Sequence, residues 1–528
     1  MTDSASRDLT ARVVVSAMWV VGLAVVGKAL GLFKDVAVAS RFGTSVTMDA
    51  FLVAFTIPTI IVHWFRSPVR SGFVPMFTET LERDGEERAW RAAGAFIGDF
   101  LVVVALIAVV AMVAAPWLVS AVAPGFGAEH HELTVSLVRI MLVSIVFAAV
   151  GGTFSSLLHI HGNFALPGVM TSVNNLILVG AAVFLTGVYG IHGLAYGVVL
   201  GSATMMLVQL PAVLRLRRNI RLSIDFRDPM FVGVMRLALP LLIGMAGAKL
   251  DDVIDRIFAS MMSEGSISGL AYALRLIELP KEILVAAFAT VLFPLYSRLA
   301  ARGLYDELGD RLSDSMRLGF FMLLPVSVAM AMLGEPFVRL VFQRGAFDEE
   351  SVRYTVSALL LYTPTIWALG LTSIMTAGFV AMKNTRTPVI AGFVRLGFKV
   401  GLVFLLVRAF EHSGIALATS ISHVFKLGLF LILLPPELMR GRYVRLFKAF
   451  GGTVAATAVM ALVLYLVIRG IGLLGAPVTL AGRLWSLALM GASAAIAYVG
   501  AARLIARSEL SDTVRAIGRG ARQILRRK

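Results

Sequence analysis

The 528-residue chain has no cysteine. Disulfides, thiolate metal sites and cysteine nucleophiles are therefore excluded. Acidic residues are few beside basic ones, 32 Asp and Glu against 48 Lys and Arg, which leaves a net charge of +16. The pI near 10.4 raises the question of nucleic-acid binding. The placement of the basic residues argues against it: they lie in short loops and a terminal tail between apolar runs, where they set topology and meet anionic membrane lipids. Long polar stretches are missing too. The widest polar gaps between apolar runs hold about twenty residues, too few for a soluble domain. No P-loop, dinucleotide fingerprint or nucleophile elbow stands between a strand and a helix, so no ATPase is encoded and no enzyme is expected. The first apolar run is long and lacks a small-residue cleavage site, so no cleavable signal peptide is expected.

What the chain has is apolar sequence. Hydrophobic residues make up 58% of it, and mean hydropathy is +0.86. Apolar runs long enough to cross a hydrocarbon core of ~30 Å number about fourteen. They lie near 13–36, 49–77, 92–118, 134–159, 165–188, 192–214, 234–262, 267–297, 315–342, 352–381, 387–408, 412–434, 447–470 and 480–505. Backbone polar groups in lipid must be satisfied within the segment, so the expected fold is an all-α polytopic membrane protein. Loop charge sets its orientation. Arg215, Arg217, Arg218, Arg221 and Arg227 follow the sixth run, and Arg440, Arg442, Arg445 and Lys448 follow the twelfth. Segments 119–133, 189–191 and 263–266 carry neither Lys nor Arg. The positive-inside rule then places both termini in the cytoplasm.

The chain also repeats itself. T-I-P at 56–58 and F-V-P-M-F at 73–77 in the second run match E-L-P at 278–280 and L-F-P-L-Y at 292–296 in the eighth. Runs six apart point to two six-helix lobes around a central cavity, plus two C-terminal helices. The expected division is an N-lobe at 1–214, a cytoplasmic linker at 215–233, a C-lobe at 234–434, the extra pair at 435–506 and a basic cytoplasmic tail at 507–528.

Charge inside the runs marks the candidate site, because ionised groups at membrane depth face a wet, protein-lined surface. At ~1.5 Å per residue, Lys28 lies about 24 Å and Lys34 about 33 Å along the first run. Lys28 and Asp35, seven apart, share a helix face from which Lys34 points away. Gly27 and Gly31 flank Lys28 at the spacing that lets helices approach closely. The second run carries Asp49 at its outer end, His63 at mid-depth, and Arg66 and Arg70 in the inner half. Arg275 and Glu278 stand three apart in the eighth. Asp251, Asp252 and Asp255 in the seventh either hold a sodium ion or a proton or pair locally, as Lys249 can with Asp252. Glu129 to Glu132 (E-H-H-E) lacks ordered ligand spacing and is read as a solvated turn, so no metal site is expected.

Several blocks together resemble the MurJ/MviN lipid II flippase family of the multidrug/oligosaccharidyl-lipid/polysaccharide exporter superfamily. They are G-K-A-L-G-L-F-K-D at 27–35, D-A-F-L-V-A-F-T-I-P at 49–58, A-A-P-W-L-V-S-A-V-A-P-G-F at 114–126, and the stretch from Ile257 to Pro280. V-F-Q-R-G-A-F-D at 341–348 and N-T-R-T-P-V at 384–389 complete the set. The resemblance implies alternating access and a substrate of undecaprenyl-diphosphate carrying a muropeptide, moved from the inner to the outer leaflet of the bacterial cytoplasmic membrane. It also implies a polyprenyl-tail groove formed by the last two helices, and cell-wall synthesis proteins as candidate partners. The family's helix-one arginines fall on Lys28 and Lys34, its helix-two aspartate on Asp49, and its helix-eight Arg and Glu on Arg275 and Glu278. Its helix-two arginine falls near His63, where Arg66 or Arg70 can substitute. Lysine keeps the charge and loses the bidentate fork that suits a diphosphate.

Two rival transport readings stand beside it: a flippase for another undecaprenyl-diphosphate-linked repeat unit, and a cation-coupled drug antiporter, which the cationic first lobe suits poorly. A membrane glycosyltransferase would need an acidic catalytic loop that is not visible. No cofactor is expected, and coupling to membrane potential, sodium or protons stays open.

Overall fold

The computed structural model describes residues 26–216, 221–246, 249–473 and 479–515, without the side chains of 66–69, 240–246 and 281–291. Residues 13–25 of the first run, the Arg66 side chain, Arg217, Arg218 and the tail from 516 lie outside that description.

The described residues fold into helices joined by short turns, and no strand occurs among them. Helix α1 covers 26–42. Then come α2 (Val46–Asp84), α3 (Glu86–Val113), the short α4 (Ala115–Val122) and α5 (Ala128–Ile160). Helix α6 (Ala165–Tyr189) includes one π-type turn at Ala181–Leu185 and is followed by α7 (Ile191–Leu216). Helices α8 (Pro229–Ala246), α9 (Leu250–Ser260), α10 (Ser266–Ala301) and α11 (Tyr305–Phe342) come next, then α12 (Glu349–Ala381). The stretch Arg386–Leu433 is 48 residues long and contains Glu411 at φ 48° and ψ −135°. Unbroken, it would measure about 72 Å, more than twice a hydrocarbon core. It is two helices, α13 (386–410) and α14 (412–433), reversed at Glu411. The short α15 (Pro436–Met439), α16 (Tyr443–Leu473), α17 (Leu480–Ile505) and a final α18 (507–515) complete the chain.

The expected runs fall largely on helix where they are described, with breaks such as those at 114, 261–262 and 363. Ten helical stretches, with Arg386–Leu433 taken as one, are long and apolar enough to cross a membrane. Two expectations change. The run at 234–262 is two elements, α8 and α9, with Asp251 and Asp252 in the first turn of α9. Carboxylates there complement the exposed N–H groups of a helix start, which gives these acids a local reason to exist. Glu129 to Glu132 is no turn: it forms the first turns of α5, where His131 Nε2 lies 3.0 Å from Ser120 Oγ.

Packing divides the chain into two compact units. The first comprises residues through Ser268 together with Arg344–Phe347. Here α2 packs on α5 and α8, and α5 packs on α7. A strap from the linker crosses α3: Asp99 is fully buried, and its Oδ1 accepts the Asp225 backbone N–H at 2.7 Å. The second unit comprises Gly269–Gln343 and Asp348–Lys528. Its α11, α16 and α17 meet through Ala456, Ala494, Ala501 and Ala502, with Met460 and Tyr498 among them. In lipid the drive for helix association is close contact, not removal of apolar surface from water; alanines of α16 and α17 allow that approach, and Phe321 and Leu333 of α11 fill against them. The Tyr498 hydroxyl donates to the Phe321 carbonyl at 2.6 Å, which leaves no stranded polar group in the seam. Helix α12 starts at Asp348, whose Oδ1 accepts the Ser351 N–H at 2.9 Å. That backbone donor, reinforced by the Ser351 hydroxyl and opposed by partial burial, holds the Asp348 carboxyl below its ordinary range.

Candidate functional site

The first cations sit on α1. Gly27 and Gly31 are buried, as is Val38 at the same face further on, whereas Lys28 is exposed. One residue is a 100° step around a helix, so packing the glycine face turns Lys28 away from the contact. The contact is with α6: Asn175 Nδ2 donates to the Gly27 carbonyl at 3.1 Å. A Cβ on Gly27 would lie 3.3 Å from Ser172 Oγ, so the approach suits glycine. Lys34 differs from expectation. Its Nζ reaches the neighbouring Asp35 Oδ1 at 2.8 Å, because a four-carbon stem can swing across the step between adjacent residues.

Asp49 occupies the first turn of α2, behind Ser45, whose hydroxyl accepts the Met48 N–H. It is 4% exposed. Its Oδ2 accepts the Gly265 N–H and its Oδ1 the Ser268 N–H, both at 2.8 Å. The carboxylate thus caps the start of α10, a place where two backbone donors would otherwise lack partners. Gly265 makes the fit feasible: its φ is +84°, and a Cβ would sit 2.5 Å from the Thr44 carbonyl oxygen. On the other side of the same turn, the Ser40 carbonyl accepts the Ala346 N–H at 2.8 Å.

Further along α2, His63 is half-buried and Arg70 exposed. Arg70 borders a small recess whose walls include Val62, Phe65, Phe100, Ile145 and Thr153. The recess is apolar but for the guanidinium and the threonine hydroxyl. On α9, Lys249 Nζ pairs with Asp252 Oδ2 at 2.8 Å, as its spacing predicts. Asp251 and Asp255 are half-buried, and Arg256 donates to the Ile267 carbonyl at 3.2 Å. In the second unit Arg275 Nη1 and Glu278 Oε2 stand 3.4 Å apart, with side chains 40% and 31% exposed. A pair so open and so long contributes at most about 1 kcal/mol to stability.

The structure therefore sorts the candidates. It joins Asp49 to the 263–268 loop, Lys34 to Asp35, Asp252 to Lys249 and Arg275 to Glu278, and it leaves Lys28 and Arg70 exposed. Two features escaped the sequence reading. Asn175 is a buried amide reaching a different helix, and its signal was a pair of asparagines inside an apolar run. Arg395 and Lys399 lie 8% and 0% exposed on α13, with Arg395 Nη1 3.3 Å from Ser422 Oγ on α14. Their four-residue spacing inside the run at 387–408 was the available signal.

Comparison with known proteins adds the last observation. A protein-family profile described as lipid II flippase MurJ matches residues 38–481, more than half of the chain. A probable lipid II flippase MurJ of Rhizobium meliloti is 29% identical over 512 residues, 95% of this chain and 96% of that protein. The lipid II flippase MurJ of Burkholderia cenocepacia is 27% identical over 414 residues, 76% of this chain and 79% of that one. Among solved structures, an inward closed conformation of lipid II flippase MurJ superposes with a TM-score of 0.77 at 23% identity, covering 93% of this chain and 99% of that chain. An inward-facing multidrug resistance MATE family transporter of the MOP superfamily superposes with a TM-score of 0.64 at 15% identity, covering 80% and 95%. At such identities the structural likeness speaks for the fold alone.

Proposed function

This chain belongs to the lipid II flippase MurJ family, and on that premise we propose that it moves lipid II from the inner to the outer leaflet of the bacterial cytoplasmic membrane for peptidoglycan synthesis. It is a multi-pass membrane protein of a transporter family and not an enzyme. The observation that carries the substrate assignment is the family match across residues 38–481. The charges supply a chemistry consistent with it. A diphosphate presents two or more negative charges, and each unit carries accessible cations that suit it, Lys28 and Arg70 in the first and Arg275 in the second. Phosphate–cation attraction in a site poor in water is only weakly screened.

Within this reading Lys28 contacts the diphosphate, with Arg66, Arg70 and His63 as further substrate contacts in the same unit; in the other unit, Arg275 and Glu278 are the candidate substrate contacts. Lys34 and Asp49 shape the outer end. Asp251, Asp252 and Asp255 are the candidates for a coupling ion. The two six-span repeats at 1–214 and 234–434 alternate access to the two leaflets, spans thirteen and fourteen at 435–506 receive the polyprenyl tail, and both termini and the 215–233 linker face the cytoplasm.

Depletion of the protein in a strain that depends on it should accumulate undecaprenyl-diphosphate-muropeptide on the inner leaflet. Accumulation of a different lipid-linked saccharide, with lipid II at its normal level, would replace the substrate assigned here. The topology has a separate test, made clean by the absence of native cysteine. Single cysteines at Ser6, Ser223 and Ser511 should resist a membrane-impermeant thiol reagent in intact cells. Labelling of Ser223→Cys from outside would overturn the orientation.

A further inference from the structure

Resting on the reading of Lys28 as a substrate cation, we propose that Asn175 is a positioning residue for it, and that α6 sets the direction in which α1 presents its charge.

Apolar contact does not distinguish one rotation of α1 from another, since lipid and protein are equally apolar. A directional contact does. Asn175 Nδ2 donates to the Gly27 carbonyl at 3.1 Å, and the amide is 7% exposed. Helix carbonyls have a second lone pair, so Gly27 accepts this bond without giving up its place in the ladder of α1. One turn earlier on α6, and on the same face, Ser172 is 6% exposed and lies under Gly27. Its hydroxyl has no hydrogen-bond partner among the described residues, so it acts here as a spacer of fixed size. A Cβ at position 27 would meet that hydroxyl at 3.3 Å, inside ordinary contact, and would push the helices apart by a few tenths of an ångström.

The bond and the spacer fix two things together: how near α1 comes to α6, and which face it turns there. Because the bonded carbonyl belongs to the residue directly before Lys28, any rotation of α1 that breaks the bond also swings the ammonium. The face so fixed contains Gly27 and Gly31, and Lys28 stands off it, exposed. Asn175 thus acts on the substrate through Lys28 and need not touch it.

The test uses purified full-length protein in liposomes with lipid II as substrate. Asn175→Ala should raise the lipid II level needed for half-maximal flipping by about tenfold and leave the maximal rate per folded molecule near that of the wild type, as displacement of a binding charge by about an ångström predicts. A purely structural role would instead reduce the amount of folded protein and leave half-saturation unchanged. Gly27→Ala, with Asn175 intact, should raise half-saturation in the same direction, and adding Ser172→Gly should restore it by giving the new methyl its space. Unchanged half-saturation in Asn175→Ala, where Lys28→Ala is inactive, would overturn this proposal and leave the reading of Lys28 standing. Normal flipping by Lys28→Ala would overturn that reading and this proposal with it. Should Asn175→Ala fail to fold, the Gly27 and Ser172 variants decide: no rise in half-saturation in Gly27→Ala, or no restoration by Ser172→Gly, overturns the proposal.

Discussion

Asp49 and Glu278 are both carboxylates within apolar sequence, and the fold uses them in opposite ways. Asp49 is 4% exposed, with each oxygen taken by a backbone N–H. Glu278 is 31% exposed and is joined to Arg275 across 3.4 Å. One charge is committed to holding a turn; the other stays on an open surface, where its contribution to folding is small. Lys34 and Lys28 differ in exposure in the same direction, Lys34 half-buried and Lys28 exposed. Depth in the membrane does not tell the two carboxylates apart, but the number of short backbone contacts does.

The sharpest way to break this contrast is at Lys28. Lys28→Ala should abolish complementation in a dependent strain at near-normal protein level, and Lys28→Arg should keep it, since arginine retains the charge and adds bidentate phosphate geometry. Recovery of growth when Lys28→Ala is combined with neutralisation of Asp35 or Asp49 would make the lysine a structural partner.

Asp49 should behave in the reverse manner. Asp49→Ala leaves the Gly265 and Ser268 N–H groups without their acceptor and should cost about 2–3 kcal/mol. Thermal unfolding of detergent-solubilised protein would register this as a lowered midpoint, with Asp49→Asn between the two because one acceptor oxygen remains. A midpoint equal to that of the wild type in both variants would move Asp49 to the open class.

Glu278→Gln sits between these extremes. It should lower transport while leaving the unfolding midpoint within the small range of an exposed pair, about 1 kcal/mol or less. Wild-type transport in Glu278→Gln would show that its charge is not required.

The smallest effect belongs to a committed acid outside the spans. Glu509 on α18 is 6% exposed and meets Arg317 Nη2 at 2.6 Å. Burial alone would raise its carboxyl, but the Arg317 and Ser508 hydrogen bonds outweigh burial and hold it below the ordinary glutamate range. A depressed folded value means that the contact stabilises the docked helix above the ordinary glutamate pKa and is lost as pH falls through the folded one. Protection of residues 507–515 from hydrogen exchange should therefore drop at acid pH in the wild type. Glu509→Gln should flatten that dependence.

How far the sequence carried these distinctions follows from their physics. The helical runs were legible because about twenty apolar residues have few alternatives to a membrane helix. So was the local pair of Lys249 and Asp252, which depends only on helix spacing. The division of 234–262 was hidden, because its two parts are both apolar enough to continue one run and the acids of α9 read as intramembrane charge. Asp49 showed its depth but not its partners, since Gly265 and Ser268 stand more than two hundred residues away. Arg395 and Lys399 showed their four-residue spacing but not their burial, since Ser422, the partner of Arg395, stands on the following helix.

The strap on α3 limits reach. On length alone, the twelve residues between α7 and α8 (217–228) could span roughly 40 Å. With the Asp225 N–H held by Asp99, however, only three residues, or four Cα–Cα steps, separate the anchor from Pro229 at the start of α8. Fully extended, they cover about 14 Å. The linker is thus a short leash on α8 and not a slack tether. Any movement that carries the start of α8 more than that distance from Asp99 on α3 must first pull Asp225 off a buried carboxylate.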